Sequence, residues 1–174
     1  MSRQKSKEQL EEERRKQRVE RNKVFNFLTS SNGIESILSF KKALSNESEL
    51  EDDERIMVKK TLEYTERMGK VYADMREYNQ FNINSNSLRK AYQLISSCKN
   101  YNQLQIALAK LKYSAKNRSR SGNRLGDVAS LWEAVMKHIS AEDTLDNKAK
   151  IVSLKIFMET LIAYHKVSSD KNSK

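Results

Sequence analysis

Nine cations with no acid between them are the most chemically pointed feature of this chain. From Tyr78 to Gly126, 49 residues contain no Asp or Glu but carry Arg89, Lys90, Lys99, Lys110, Lys112, Lys116, Arg118, Arg120 and Arg124. A solvated helix face ordinarily mixes both signs, because like charges repel and opposite charges at i,i+4 attract. Uncompensated cations in series therefore point to a polyanion, and nucleic acid is the one best matched to them. An anionic membrane fits less well, since no broad apolar face accompanies the charges. Lys112 and Lys116 stand at i,i+4 on one helix side, and Arg118, Arg120 and Arg124 extend that side into a Ser/Gly linker. Arg89 and Lys90 lie one turn beyond a helix entry, whose unpaired backbone N–H groups favour phosphate. Tyr113 stands beside Lys112, open to base stacking or to packing.

The other residues capable of chemistry do not assemble into a reaction. His138 and His165 each fall on a helix, without a Cys, Ser or carboxylate partner at a recognisable spacing. His138 sits near a helix C-terminus, where partial positive charge is favourable. A single cysteine, Cys98, makes neither an internal disulfide nor a zinc cluster and suits a reducing cytoplasm. The run Glu51-Asp52-Asp53-Glu54 lacks the alternation and turn glycine of a calcium loop, and acids opening a helix complement its dipole. Gly122 and Gly126 precede no Lys-Ser/Thr and follow no strand, so they form no phosphate loop. Trp132 lies at core spacing. The inventory predicts a binding protein rather than an enzyme, with no metal and no cofactor.

The elements that must position these residues are helical. The chain has 174 residues, no Pro and four Gly; 37% of residues are hydrophobic and 32% charged. That composition argues against turn-dense β architectures. No run is apolar and long enough for a membrane span, and the N-terminus leads into charge, which argues against a secretory signal. Of the formal net charge of +10, the stretch 69–127 holds eleven basic and three acidic residues. Periodicity predicts a compact all-α bundle of about five to seven helices with a long charged helix over 5–28. A break at 29–33 precedes a short helix with Ile34, Ile37, Leu38 and Leu44 on its apolar side. A further helix carries a stripe from Met57 through Met75 to Tyr78. An Asn-rich loop over 79–86 ends in a cap. Two helices follow with Leu88, Ala91, Ile95 and then Leu104, Leu108, Leu111 inward. Asp127 caps the next helix. The last, over about 146–167, is apolar on two sides, which requires either a sandwiched place in the core or a subunit contact. The expected division is 1–78 as an N-terminal helical extension, 79–167 as a basic helical core and 168–174 as a disordered tail.

Three segments of the second half carry a family likeness. Ile83-Asn84-Ser85-Asn86-Ser87-Leu88-Arg89-Lys90 resembles a Leu-Thr-Thr-Ser-x-Leu/Ile-Arg helix entry, with Asn84-Ser85 standing where Thr-Thr is usual. Tyr113-Ser114-Ala115-Lys116-Asn117-Arg118 is similar to a Tyr-x-Ala-Gly-Arg segment. Met158-Glu159-Thr160-Leu161-Ile162-Ala163-Tyr164-His165-Lys166 is similar to a Glu-Ala-Leu/Val-Val-Ala-Tyr helix. In this order and with comparable gaps, they resemble the small α-helical subunit of type III-A CRISPR (Csm-type) effector complexes. The likeness covers about residues 80–167, and residues 1–75 have no clear counterpart in it.

The resemblance implies a non-catalytic cytoplasmic subunit of an antiviral ribonucleoprotein, stacked in copies along the duplex of crRNA and target RNA. Its expected RNA-binding residues are Arg89, Lys90, Lys112, Tyr113, Lys116, Arg118, Arg120 and Arg124. Met158, Leu161, Ile162 and Tyr164 are the expected subunit contact. Partners would be single-stranded target RNA, crRNA and other effector subunits including copies of itself. The alternative reading is a helical adaptor whose basic face meets an acidic protein.

Overall fold

The chain enters its first helix through a capping box. Ser6 Oγ accepts from the Gln9 N–H at 3.2 Å, and Gln9 Oε1 accepts from the Ser6 N–H at 3.0 Å. A computed structural model describes residues 6–76, 79–117 and 125–172. These form α1 (Lys7–Leu28), α2 (Ser31–Leu38), α3 (Phe40–Ser45), a 3₁₀ turn (Glu47–Glu49), α4 (Asp52–Ala73), α5 (Ser85–Ser96), α6 (Tyr101–Asn117), α7 (Leu125–Met136) and α8 (Leu145–Asn172). Among the described residues the protein is an all-α bundle of eight α-helices, with no strand.

Eight helices rather than five to seven arise because the helix expected around 34–44 breaks at Ser39. Its hydroxyl donates to Glu35 O at 2.9 Å while its N–H closes α2, so the chain turns there before α3. The expected break at 29–33 is shorter than its composition suggests, since Gly33 already lies within α2. A Cβ on Gly33 would stand 2.1 Å from Phe27 O, so glycine there permits α1 and α2 to meet backbone to backbone.

One cluster of buried side chains runs from Val24 to Leu161 and so joins both sides of residue 78. Its centre is α8, which packs against α2, α3, α4 and α5. The contact between α4 and α8 is the most extensive, and Gly69 makes it close: a Cβ there would lie 2.8 Å from Tyr164 Cβ. Ile151, Leu154, Phe157, Met158 and Leu161 are all buried on α8. The expected subunit contact is corrected accordingly. Met158 and Leu161 are fully buried in the chain's own core, with Met158 Sδ accepting from Trp132 Nε1 at 3.0 Å. Ile162 and Tyr164 are half-buried, and Tyr164 lines a cleft between α4 and α8. Ser168 to Asn172, expected in a disordered tail, continue α8. Ser168 and Ser169 are half-buried and Ser169 Oγ reaches His165 Nδ1 at 3.5 Å, so the last turns retain a surface to lie on.

The helix expected to run to residue 78 stops at Ala73. Asp74 leaves helical geometry at φ −70°, ψ 108°, and Met75 is 69% exposed rather than part of the apolar stripe. Side-chain amides take over the carbonyls at this helix end. Asn79 Nδ2 donates to Val71 O at 2.6 Å and Asp74 O at 2.7 Å, and Asn82 Nδ2 donates to Tyr72 O at 3.2 Å. Tyr78 lies outside the described residues. The N-terminal helix is tied down by charge as much as by apolar burial. Arg21 Nε donates to Asp127 Oδ2 at 2.8 Å, and Arg67 binds Glu20 through two hydrogen bonds of 2.7 and 2.8 Å. Asp127, expected as a cap, thus lies in the first turn of α7 and anchors α1 instead.

Candidate nucleic-acid interface

The surface in question is built by α5 and α6, and its placement begins with the entry to α5. Ile83 is fully buried, its N–H donates to Tyr72 O at 2.9 Å, and its carbonyl accepts from His165 Nε2 at 2.7 Å. A carbonyl can only accept, so Nε2 carries the ring proton. Burial holds the His165 imidazole below its ordinary pKa, with the carbonyls of Ile83 and Tyr72 opposing that shift. Asn84 then caps the helix, its Oδ1 accepting from the Ser87 N–H at 2.8 Å. That N–H, one of those expected to meet phosphate, already has a partner. With Leu88, Ala91 and Ile95 turned into the core, Arg89 and Lys90 are left on the exposed side of α5.

α5 is fixed to α8 from the other flank. The Tyr92 hydroxyl donates to Glu159 Oε1, which pushes the phenol up to about 12, through that hydrogen bond first and burial second. Glu159 belongs to one of the three family-like segments, yet its carboxylate serves to join two helices here. Between α5 and α6, Cys98 is buried and its thiol donates to Leu94 O at 3.2 Å. Burial pushes that thiol up, away from the reactive thiolate.

On α6, Leu104, Ala107, Leu108 and Leu111 face inward. The opposite side carries Ile106, Lys110 and Tyr113, spaced i, i+4 and i+7, which puts all three on one stripe. Ile106 is 57% and Tyr113 70% exposed, so Tyr113 does not pack into the core. Lys99 is exposed where α5 passes into α6, and Lys116 is exposed in the last turn of α6. Among the described residues, Arg89, Lys90, Lys99, Lys110 and Lys116 form no ion pair.

Lys112 differs. Its Nζ lies 2.8 Å from Glu133 Oε1 on α7, and that hydrogen bond holds the Glu133 carboxyl below its usual range. The acid that compensates Lys112 is therefore present, but it lies 21 residues away along the chain. Lys112 is thus corrected from an uncompensated cation to one already paired. Arg118, Arg120 and Arg124 lie outside the described residues. Ile106, Lys99 and Lys110 are additions to the expected site; the i, i+4, i+7 spacing of Ile106, Lys110 and Tyr113 was the available signal.

No group of three or more His, Cys, Asp or Glu side chains that could hold a metal occurs among the described residues. His138 is exposed beyond the end of α7, whereas His165 is buried against Ile83. No helix among the described residues is long and apolar enough to cross a membrane.

What these features define is an all-α protein with exposed cations on two adjacent helices that carry no acid of their own. In comparisons with known proteins, no family model, curated protein or solved structure matches the chain.

Proposed function

We propose that the chain is a non-catalytic, RNA-binding structural subunit of a cytoplasmic type III CRISPR effector. In this reading it grips the backbone of crRNA or target RNA without sequence preference and packs against neighbouring subunits. The observation that carries it is the exposed set Arg89, Lys90, Lys99, Lys110 and Lys116, without ion-pair partners among the described residues and interleaved with exposed Tyr113. Phosphate contacts of this kind supply affinity and leave specificity to guide pairing. An exposed tyrosine adds a stacking face that accepts any base. The three family-like segments support the assignment to the CRISPR small subunit, because two of them supply Arg89, Lys90, Tyr113 and Lys116.

The test is fluorescence anisotropy with labelled single-stranded RNA over a range of salt. Binding is expected to fall steeply with salt, to differ little between RNA sequences and to persist in a chelator. The combined variant R89A/K90A/K110A/K116A is expected to bind far more weakly while keeping its helical circular dichroism. Wild-type affinity in that variant at both low and high salt would refute the assignment. Purification of the tagged protein from its own cells, with crRNA and effector subunits co-purifying, tests the CRISPR assignment itself.

A further inference from the structure

A second surface lies on the N-terminal helices, away from the acid-free stretch of the sequence. α3, Leu50 just after the 3₁₀ turn, α4 and α8 line an open groove of about 530 Å³. Its floor is apolar: Phe40 and Leu50 are buried, and Ile156 of α8 is half-buried. Its lips are apolar too, and unusually open. Leu44 on α3 is 72% exposed and Ile56 on α4 is 62% exposed. Single exposed aliphatic residues carry no message, but two of them flanking an apolar trough extend it into a contiguous patch.

The charged side chains that line this groove are both basic. Arg55 and Lys59, one helical turn apart on α4, are its only charged lining residues, and both are exposed. Arg55 meets Asp52 at 3.7 Å, a long contact to a carboxylate that is 94% exposed, and Lys59 has no ion pair among the described residues. The nearby acids Asp53 and Glu54 line a neighbouring depression shared with α2, and Glu54 is paired with Lys42 at 2.9 Å.

We infer that this groove docks an amphipathic helical segment of a partner protein, whose apolar anchors are flanked by carboxylates. A helix laid in a groove places anchors at i, i+3, i+4 and i+7, which suits an apolar trough with no sheet edge to extend. Carboxylates flanking the anchors would meet Arg55 and Lys59, while a segment flanked by Lys or Arg would be repelled.

The experiment uses two lactam-bridged helical peptides with the same leucine stripe, one flanked by Glu and one by Lys. Fluorescence anisotropy with the full chain is expected to show about tenfold tighter binding of the Glu-flanked peptide. The double variant R55E/K59E should reverse that preference, and I56D should weaken both peptides, with helical content and RNA affinity unchanged in each. K110E/K116E should leave peptide binding intact. Equal affinity for the two peptides, binding undiminished in I56D, or loss of binding in K110E/K116E would each overturn the inference. Concentration-dependent dimerisation abolished by I56D would overturn it as well, assigning the groove to a second copy of the chain. Failure of RNA binding with these peptide results intact would leave the groove standing and remove only the RNA reading.

Discussion

Replacing Glu133 by Gln should strengthen RNA binding, although Glu133 lies outside the acid-free stretch that holds the cations expected to touch RNA. The reason is the 2.8 Å pair between its carboxylate and Lys112 Nζ. In the wild type Lys112 is neutralised from within; in E133Q it becomes available to phosphate. Each phosphate neutralised on a single strand steepens the salt dependence of log affinity by about 0.7. The five cations Arg89, Lys90, Lys99, Lys110 and Lys116 together then give a slope of about −3.5, or about a hundredfold loss from 50 to 200 mM salt. Releasing Lys112 takes the slope to about −4.2 and adds about 2.5-fold to that loss. The same logic makes K112A nearly silent and K116A costly. Anisotropy titrations at four salt concentrations, on wild type and these three variants, measure the slopes directly. Side chains of both partners are 47% and 45% exposed, so folding should hardly respond. An unchanged slope in E133Q, together with equal losses in K112A and K116A, would refute the reasoning.

Other expected outcomes concern stability. His165 is buried and its pKa lies below the ordinary value of 6.5. The unfolded chain then takes up a proton that the native ring resists. The corresponding stability is complete above about pH 6.5 and is lost as the pH falls through the native pKa. Urea denaturation at pH 7.5 and 5.5 should show this loss in wild type, and H165N should flatten it. G69A should destabilise the protein: a Cβ 2.8 Å from Tyr164 Cβ and 3.0 Å from His165 N forces α4 and α8 apart. Overpacking of about 1–3 kcal/mol exceeds the ~1 kcal/mol helix gain of alanine, and thermal melting reads the difference. N79A should cost about 1–3 kcal/mol in a denaturant titration, because buried acceptors at the end of α4 lose their donor.

The helices were legible wherever neighbours in sequence are also neighbours in space. The 3.6-residue recurrence of Leu88, Ala91 and Ile95, and of Leu104, Leu108 and Leu111, gives α5 and α6 their buried faces directly. The apolar character of α8 on two sides likewise announces a sandwiched helix, once the choice between core and subunit contact is made by packing. Periodicity misled where a side chain from elsewhere intervenes. Met75 keeps step with the α4 stripe, but the amides of Asn79 and Asn82 claim the last carbonyls and turn the chain at Asp74. The abundance of Asn over 79–86 was the visible trace of that device. In the candidate site, the exposed positions follow from the buried ones, so Arg89, Lys90 and Lys116 were readable. The compensation of Lys112 was not, since it depends on how α6 meets α7. His165 shows the same limit, because Ile83 lies 82 residues before it.

The central place of α8 has a consequence for the order in which the protein assembles. α2, α3, α4 and α5 all lean on a helix that is translated after them. Until Ile151 to Leu161 have been made, α2 and α4 can pack on one another and on α1, but the faces that meet α8 stay uncovered. A chain still lacking α8 leaves that apolar surface exposed, and such surface invites aggregation. The contacts that close the core join residues far apart in sequence, and loop entropy makes such contacts slow to form.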